Sequence, residues 1–335
     1  MLLPGFVPDM VPCVIQPETP TVTVLQEVRA AAGRIAPLAR RTPVLTSSGL
    51  DQMCGARVFF KCENFQRTGS FKIRGASNAV FSLTAEQARR GVVTHSSGNH
   101  ASALACAAQQ RGIPATIVVP RNAPRVKLEM VAGFGGAVHL CEPTMEARQA
   151  AVDAIQAQTG ATLVHPYDNP AVIAGQGTIA LELLEELRDL DGVIAPVSGG
   201  GLLSGTAIAA KALQPAIEVF GAEPERADDA SRSFRSGQIE PVLRSDTIAD
   251  GLRAALCPLT FGIIRRHVAD VLTVSEGQIA DAMKLVWRYL KIVIEPSAAV
   301  PFAAVLAHRE RFAGRRLGIL LSGGNLDLER LPWQV

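Results

Sequence analysis

No two cysteines in this 335-residue chain stand in a CxxC spacing. The six present, Cys13, Cys54, Cys62, Cys106, Cys141 and Cys257, are far apart, which argues against a zinc site or a dithiol motif and fits reduced thiols in the cytoplasm. Dense lysine or arginine tracts are also missing. The pairs Arg40-Arg41, Arg89-Arg90, Arg265-Arg266 and Arg315-Arg316 are scattered and the formal charge is only +2, so neither nucleic acid nor an anionic membrane is an expected partner. The first twenty residues, MLLPGFVPDMVPCVIQPETP, are broken by prolines and carry no basic stretch. A signal peptide or membrane span is therefore not expected, and a mobile or surface-lying tail is. Repeats, a GxGxxG fingerprint and a GKS/T phosphate loop are absent too, which weighs against solenoids and against dinucleotide or ATP binding.

What is present is ordinary for a globular enzyme of one or two lobes, with 48% hydrophobic and 19% charged residues. Short apolar runs (ARVFFKCE, VVTH, ATIVVP, AVHLCEP, ATLVHP, GVIAPV, EVFGAEP, LGILLS) alternate with amphipathic stretches such as EARQAAVDAIQAQTG. In QGTIALELLEELRDL, Ile179, Leu183 and Leu187 form an i, i+4, i+8 stripe. This alternation predicts an α/β fold with open, mostly parallel twisted sheets flanked by helices. The run from about Gly91 to Pro166 reads as a compact series of βα units.

Three strand ends run into glycine- or serine-rich turns: VVTHSSGNHA, VIAPVSGGGLLSG and LGILLSGGN. In open α/β folds ligands bind at that rim, and Ser198-Gly199-Gly200-Gly201 is the best of the three for cradling a phosphate on backbone N–H groups. Tight strand–helix turns need the same glycines for packing. Lys72, in TGSFKIRGA, is either a snorkelling surface residue or a partly buried nucleophilic amine; the segment alone leaves both open.

The ordered set SFKIRGA, SSGNH, SGGGL and SGGN resembles the fold-type II pyridoxal phosphate enzymes, in their serine/threonine dehydratase and serine racemase branch. RTPVLTSS, HPYDNPAVIAGQGTIALE, GAEPERADD, TIADGLR and VIEPSAAV agree with it, from about residue 25 to 330. The resemblance implies a two-lobed enzyme: residues 1–88 and 167–335 form the large cofactor-binding domain and 89–166 a small domain inserted within it. It implies that Lys72 is the Schiff-base lysine, that Phe71 packs near the ring, and that Asn99 bonds the ring hydroxyl. Ser198, Gly199, Gly200, Gly201 and Leu202 would wrap the phosphate, with Ser198 where racemases often have a fourth glycine. Ser322 would face the pyridine nitrogen; a hydroxyl there makes a weaker electron sink than a carboxylate partner would, favouring rapid β-elimination. Ser96, Ser97, Gly98, Asn99 and His100 would hold the substrate carboxylate, with His100 positioning rather than catalytic. By the same resemblance Glu223, Asp229 and the carbonyl of Ala227 bind magnesium, calcium or manganese, a hard cation suited to oxygen ligands; a solvated acidic loop is the plainer alternative. A homodimer without a C-terminal regulatory domain is expected.

The activity so implied is an ammonia-lyase (dehydratase) that converts a 3-hydroxy amino acid to a 2-oxo acid and ammonia. Ser97 matches the acid/base that serine racemases place opposite Lys72, so racemisation is the alternative; a β-replacement enzyme fits SSGNH less well. Tyr167, where vertebrate serine racemases have asparagine, and Ala254-Ala255, where many relatives have hydroxyls, point away from serine as best substrate. Arg148 could pair with the second carboxylate of 3-hydroxyaspartate or be a surface helix residue.

Overall fold

The computed structural model describes residues 24–96, 98–122 and 125–333. The tail read from the first twenty residues, and Ser97, lie outside these described residues. Among the described residues, ten strands make two sheets. The larger has the order β1 (Val44–Leu45), β2 (Arg57–Cys62), β10 (Arg316–Leu321), β7 (Gly192–Pro196), β8 (Glu218–Pro224), β9 (Asp270–Val274). The smaller has the order β5 (Ala137–Cys141), β4 (Ala115–Pro120), β3 (Val92–His95), β6 (Thr162–Leu163). Every pairing is parallel except β1 on β2.

The inner strands obey the rule for sheets covered on both faces, while β5, at an edge of the smaller sheet, is exposed in all but its last residue. β3 and β7 are buried throughout, and β2 and β10 in all but their first residue, which is why they read as continuous apolar runs rather than alternating ones. β9 was not among the runs picked out above. It begins at an acid, Asp270, whose side chain bonds the next backbone N–H at 2.8 Å and pairs with Arg311, so its apolar signal is short. The helix Lys72–Ser82 precedes the smaller sheet in sequence, yet its Ile73, Ala76, Ala79 and Val80 share a core with Val92, Leu104, Ile117 and Val119.

The helix Pro170–Glu186 is the central strut. Asn169 caps it by accepting the Val172 N–H at 3.1 Å, and proline occupies its first position. Ile179 and Leu183 of the predicted stripe are fully buried. Glycines bring neighbouring helices to backbone contact: a Cβ on Gly175 would lie 2.6 Å from the Arg74 carbonyl, and one on Gly205 2.4 Å from the Ile173 carbonyl. Lys72–Ser82 and Gly201–Leu213 are thereby fixed against one strut.

At that junction sits a balanced set of four charges. Arg74, fully buried, donates to both oxygens of Glu63 at 2.8 Å and to both of Glu182 at 2.6 and 2.9 Å. Lys61, also fully buried, reaches Glu182 at 2.6 Å and the Thr42 carbonyl at 2.7 Å, and the Thr42 hydroxyl donates to Glu63. Burial works against the charge on Glu182, but Arg74 and Lys61 hold its carboxyl below the usual range. A depressed carboxyl stabilises the fold above its unfolded pKa and loses that contribution as pH falls through the folded one. Arg74→Ala leaves the buried Glu63 carboxylate without a cation, Glu182 keeping Lys61, and should cost about 3–5 kcal/mol in urea unfolding; a loss under about 1 kcal/mol would show that solvent replaces the guanidinium.

Candidate active site

Four motifs distant in sequence converge at the carboxyl ends of the strands. The segment before Lys72 is clipped to the end of β10: the Phe71 N–H donates to the Ser322 carbonyl at 3.0 Å, Ser70 bridges Gly323, and the Gly324 N–H donates to Gly69 at 2.9 Å. Gly69 is required here, with φ +72° and the Asn325 side chain 2.2 Å from where a Cβ would sit. Asn325 donates to the Thr68 carbonyl at 2.8 Å and to the Asn99 side-chain oxygen at 2.9 Å. The Asn99 amide in turn donates to Glu295 at 3.0 and 3.2 Å. Phe71, Lys72, Asn99 and Ser322 are thus brought together, with Ser322 buried.

Neither Glu295 nor Asn325 was singled out from the sequence. The signal for Glu295 was its place in KIVIEPSAAV, an acid inside an apolar run just before a proline-started helix, Pro296–Ala307.

Lys72 keeps a partial opening to the cleft. Its Nζ donates to the Pro166 carbonyl at 3.2 Å and stands 5.0 Å from the Phe71 ring centre. Desolvation brings its ammonium down to about 8, with the Glu295 charge opposing. The amine is therefore about half free of its proton near pH 8, where an ordinary lysine is almost wholly protonated.

Ser198–Leu202 runs from β7 into the helix Gly201–Leu213, at whose N-terminus unpaired N–H groups suit an anion. Side chains have no room here: a Cβ on Gly199 would lie 2.4 Å from the Tyr167 ring, and one on Gly200, at φ +88°, 2.7 Å from Thr260. Ser198 has a job that glycine could not do. Its hydroxyl accepts the Ala254 N–H at 3.0 Å and lies 3.3 Å from the Ala254 carbonyl, tying the ADGLRAAL segment to the loop.

The opposite wall is lined by imidazoles. His100 is buried and its Nε2 bonds the Val164 carbonyl at 2.9 Å, so Nε2 carries the proton; burial, chiefly, pushes its pKa down to about 3. His165 accepts the Asp168 N–H at Nδ1, 2.9 Å, and lies edge-on to Tyr167 and His95 with centroids 4.6 and 5.5 Å apart. Ser96 accepts the Gly98 N–H at 3.3 Å. Arg148 sits on the helix Met145–Thr159 with its Nε buried and unpartnered among the described residues, and its charge is felt at His95.

Glu223, at the end of β8, is buried and accepts backbone N–H groups of Ala230, at 3.2 Å, and Ser231. Asp229 has a buried Oδ2 without a partner among the described residues, and Ala227 is buried nearby in sequence. Burial pushes the Glu223 carboxyl well above its usual value and that of Asp229 up to about 6. Among the described residues, no three His, Cys, Asp or Glu side chains cluster closely enough to hold a metal on their own.

Among the described residues no helix is long and apolar enough to cross a membrane. The family model described as "Pyridoxal-phosphate dependent enzyme" matches residues 35–323. A β-hydroxyaspartate dehydratase of Paracoccus denitrificans is 50% identical over 312 residues, 93% of this chain and 99% of the relative. An L-threo-3-hydroxyaspartate ammonia-lyase of Saccharomyces cerevisiae is 46% identical over 305 residues, 91% of this chain and 94% of the relative. Maize serine racemase superposes with a TM-score of 0.90 at 48% identity, covering 92% of this chain and 95% of that one. The residues present fit the implied cofactor: an enclosed amine of lowered pKa for its aldehyde, and a loop whose glycines leave space only for backbone N–H groups and a phosphate. On sequence, fold and this fit, the chain belongs to the pyridoxal-phosphate dependent enzymes.

Proposed function

We propose that the protein is an ammonia-lyase that removes water and then ammonia from a 3-hydroxy amino acid, with 3-hydroxyaspartate as its best substrate. The observation that carries the choice of substrate is Arg148, whose buried Nε has no partner among the described residues and whose charge reaches His95 in the cleft wall. A guanidinium left short of acceptors suits a second carboxylate better than the methyl of threonine or the plain hydroxymethyl of serine. The names of two relatives, a β-hydroxyaspartate dehydratase and an L-threo-3-hydroxyaspartate ammonia-lyase, agree.

Pyridoxal phosphate, when bound, withdraws electrons from the carbon bearing the amino group and so acidifies its hydrogen. In this reading Lys72 would hold the cofactor, and its amine would take the α-proton. Ser198, Gly199, Gly200, Gly201 and Leu202 would hold the phosphate, Asn99 the ring hydroxyl and Ser322 the ring nitrogen. Asn99 cannot drift, because Glu295 and Asn325 bind both ends of its amide. Phe71 would cover the ring, and Ser96, Ser97, Gly98, Asn99 and His100 would receive the α-carboxylate. His100 acts here by position: its Nε2 is committed to Val164. Glu223, Asp229 and the Ala227 carbonyl would bind magnesium, calcium or manganese, supported by the unpartnered Asp229 oxygen. A cytoplasmic setting is supported by the scattered cysteines, and a homodimer by the family resemblance.

Racemisation is the second reading, favoured by the superposition on maize serine racemase. It requires a proton donor on the face opposite Lys72, and Ser97 is the candidate. Ser97→Ala should reduce enantiomer exchange by at least about tenfold more than elimination from the L-substrate; equal losses in paired chromatographic and 2-oxo acid assays would exclude the two-base arrangement.

The test of the main reading is 2-oxo acid release from serine, threonine, 3-hydroxyaspartate and phenylserine. We expect the highest kcat/KM for 3-hydroxyaspartate, and Arg148→Ala should raise its KM roughly tenfold or more with threonine nearly unaffected. Serine leading the panel would overturn the assignment. Thorough chelation should lower the melting temperature, and magnesium, calcium or manganese should restore it; an unchanged melt would remove the cation.

A further inference from the structure

Between β6, in the smaller sheet, and the central helix Pro170–Glu186 the chain crosses over through residues 164–169. Two residues of this crossover touch the groups read as holding the cofactor. Pro166 accepts a hydrogen bond from the Lys72 Nζ at 3.2 Å. Tyr167 packs on the glycine loop: a Cβ on Gly199 would lie 2.4 Å from its ring, and one on Gly201 3.0 Å from its Cβ. Tyr167 thus fills the space that side chains at both positions would take. From the other side Thr260 and Leu256 close on Gly200, 2.7 and 2.9 Å from where its Cβ would stand. The loop is held between two walls, and Tyr167 supplies one of them. Its ring is itself fixed. His165 meets it edge-on with centroids 4.6 Å apart, the Asp168 N–H donates to His165 Nδ1 at 2.9 Å, and Asn169 caps the helix that follows.

We propose that Tyr167 is a positioning residue for the cofactor's phosphate: its ring braces Gly199 and Gly201, so that the loop holds its binding shape before the phosphate arrives. The proposal rests on the reading of Ser198–Leu202 as the phosphate cradle, and it moves Tyr167 from substrate choice to cofactor retention. The physical cause is entropy. Glycine loses more backbone freedom on ordering than any other residue, so three in succession are costly to fix. A loop free to explore those states would spend binding energy on being ordered, and a braced loop would not. An aromatic ring suits the task, because it has only two torsions to fix and a flat face that lies against bare backbone. The phenol hydroxyl has no part in this role, which separates it from hydrogen bonding to a substrate.

The test is equilibrium titration of the full chain, stripped of cofactor, with pyridoxal phosphate and with pyridoxal, which has the aldehyde and lacks the phosphate. We expect Tyr167→Ala to bind pyridoxal phosphate at least about tenfold more weakly and pyridoxal within about twofold of the unaltered protein, with Tyr167→Phe restoring the phosphate ester's affinity. With cofactor saturating, Tyr167→Ala should keep the ratio of kcat/KM for 3-hydroxyaspartate to that for threonine within about twofold. Undiminished affinity for pyridoxal phosphate in Tyr167→Ala would overturn the proposal. Equal losses for both ligands would do so too, placing the effect at Lys72 through Pro166. Binding by Tyr167→Phe as weak as by Tyr167→Ala would assign the effect to the hydroxyl and contradict the brace. A shifted substrate ratio with unchanged cofactor affinity would return Tyr167 to the substrate side. Pyridoxal phosphate binding the unaltered chain no more tightly than pyridoxal would remove the phosphate cradle itself, and the role of Tyr167 with it. Should Tyr167→Ala not fold, Gly199→Ala decides: its methyl would meet the ring and must displace it, so the same selective loss is expected and undiminished affinity contradicts the proposal.

Discussion

The guanidinium of Arg74 holds the catalytic end of the molecule in register. It joins Glu63, just beyond the end of β2, to Glu182 on the central helix Pro170–Glu186, and Lys61 completes the balance of charge. A buried set of this kind contributes little net stability by its attraction, because desolvation offsets most of it. What it confers is position. Arg74 lies two residues after Lys72 in the first turn of the same helix, so its five-donor fork fixes the rotation and height of that turn. Close backbone contact at Gly175 removes the remaining freedom on the other side.

Given that fixed turn, the site assembles from strand ends. The clip between Gly69–Phe71 and Ser322–Gly324 sets Lys72 beside β10. The Asn325–Asn99–Glu295 chain then locks the first residue of the helix Asn99–Arg111, from the other sheet, onto the same rim. On the proposed reading the larger sheet would supply most of the cofactor side of the cleft, with Asn99 added from the smaller one, and the smaller sheet would supply the substrate side. The imidazoles line the second, each held neutral by burial before anything else. That is a suitable wall for a site whose fixed positive charge comes from Arg148.

Much of this was legible in the sequence, because the chemistry restricts residue type. The glycines of SGGG mark a loop without room for side chains, as a phosphate cradle would need; the parallel sheets showed in apolar runs such as GVIAPV and LGILLS. Less legible were the residues whose roles depend on partners far along the chain. Glu182 looks like one acid among several in LELLEEL, and only the fold reveals that Arg74, 108 positions earlier, meets it. Glu295 carried a weak local signal and Asn325 sat in a motif read for its glycines. The Ser198 hydroxyl makes sense only once Ala254 is seen opposite. Arg148 is balanced between surface and site in the sequence, and the buried Nε is the observation on which its proposed role rests. β9 was missed because a strand that starts at a charged residue at a sheet edge leaves a short apolar signature.

The central claim is that the Arg74 fork places the Lys72 amine where desolvation can lower its pKa. The direct measurement is the pH dependence of Lys72 acylation by an amine reagent, followed by peptide mapping of the cofactor-free protein, compared with Arg74→Lys. Lysine keeps the charge and loses the fork, so electrostatics alone predict little change. The account predicts a midpoint near 8 in the unaltered protein, and in Arg74→Lys a shift upward toward the ordinary lysine range as the first turn loosens and solvent reaches the amine. An identical midpoint in a well-folded Arg74→Lys protein would contradict it, and would leave the glycine contacts and the β10 clip as the features that place Lys72.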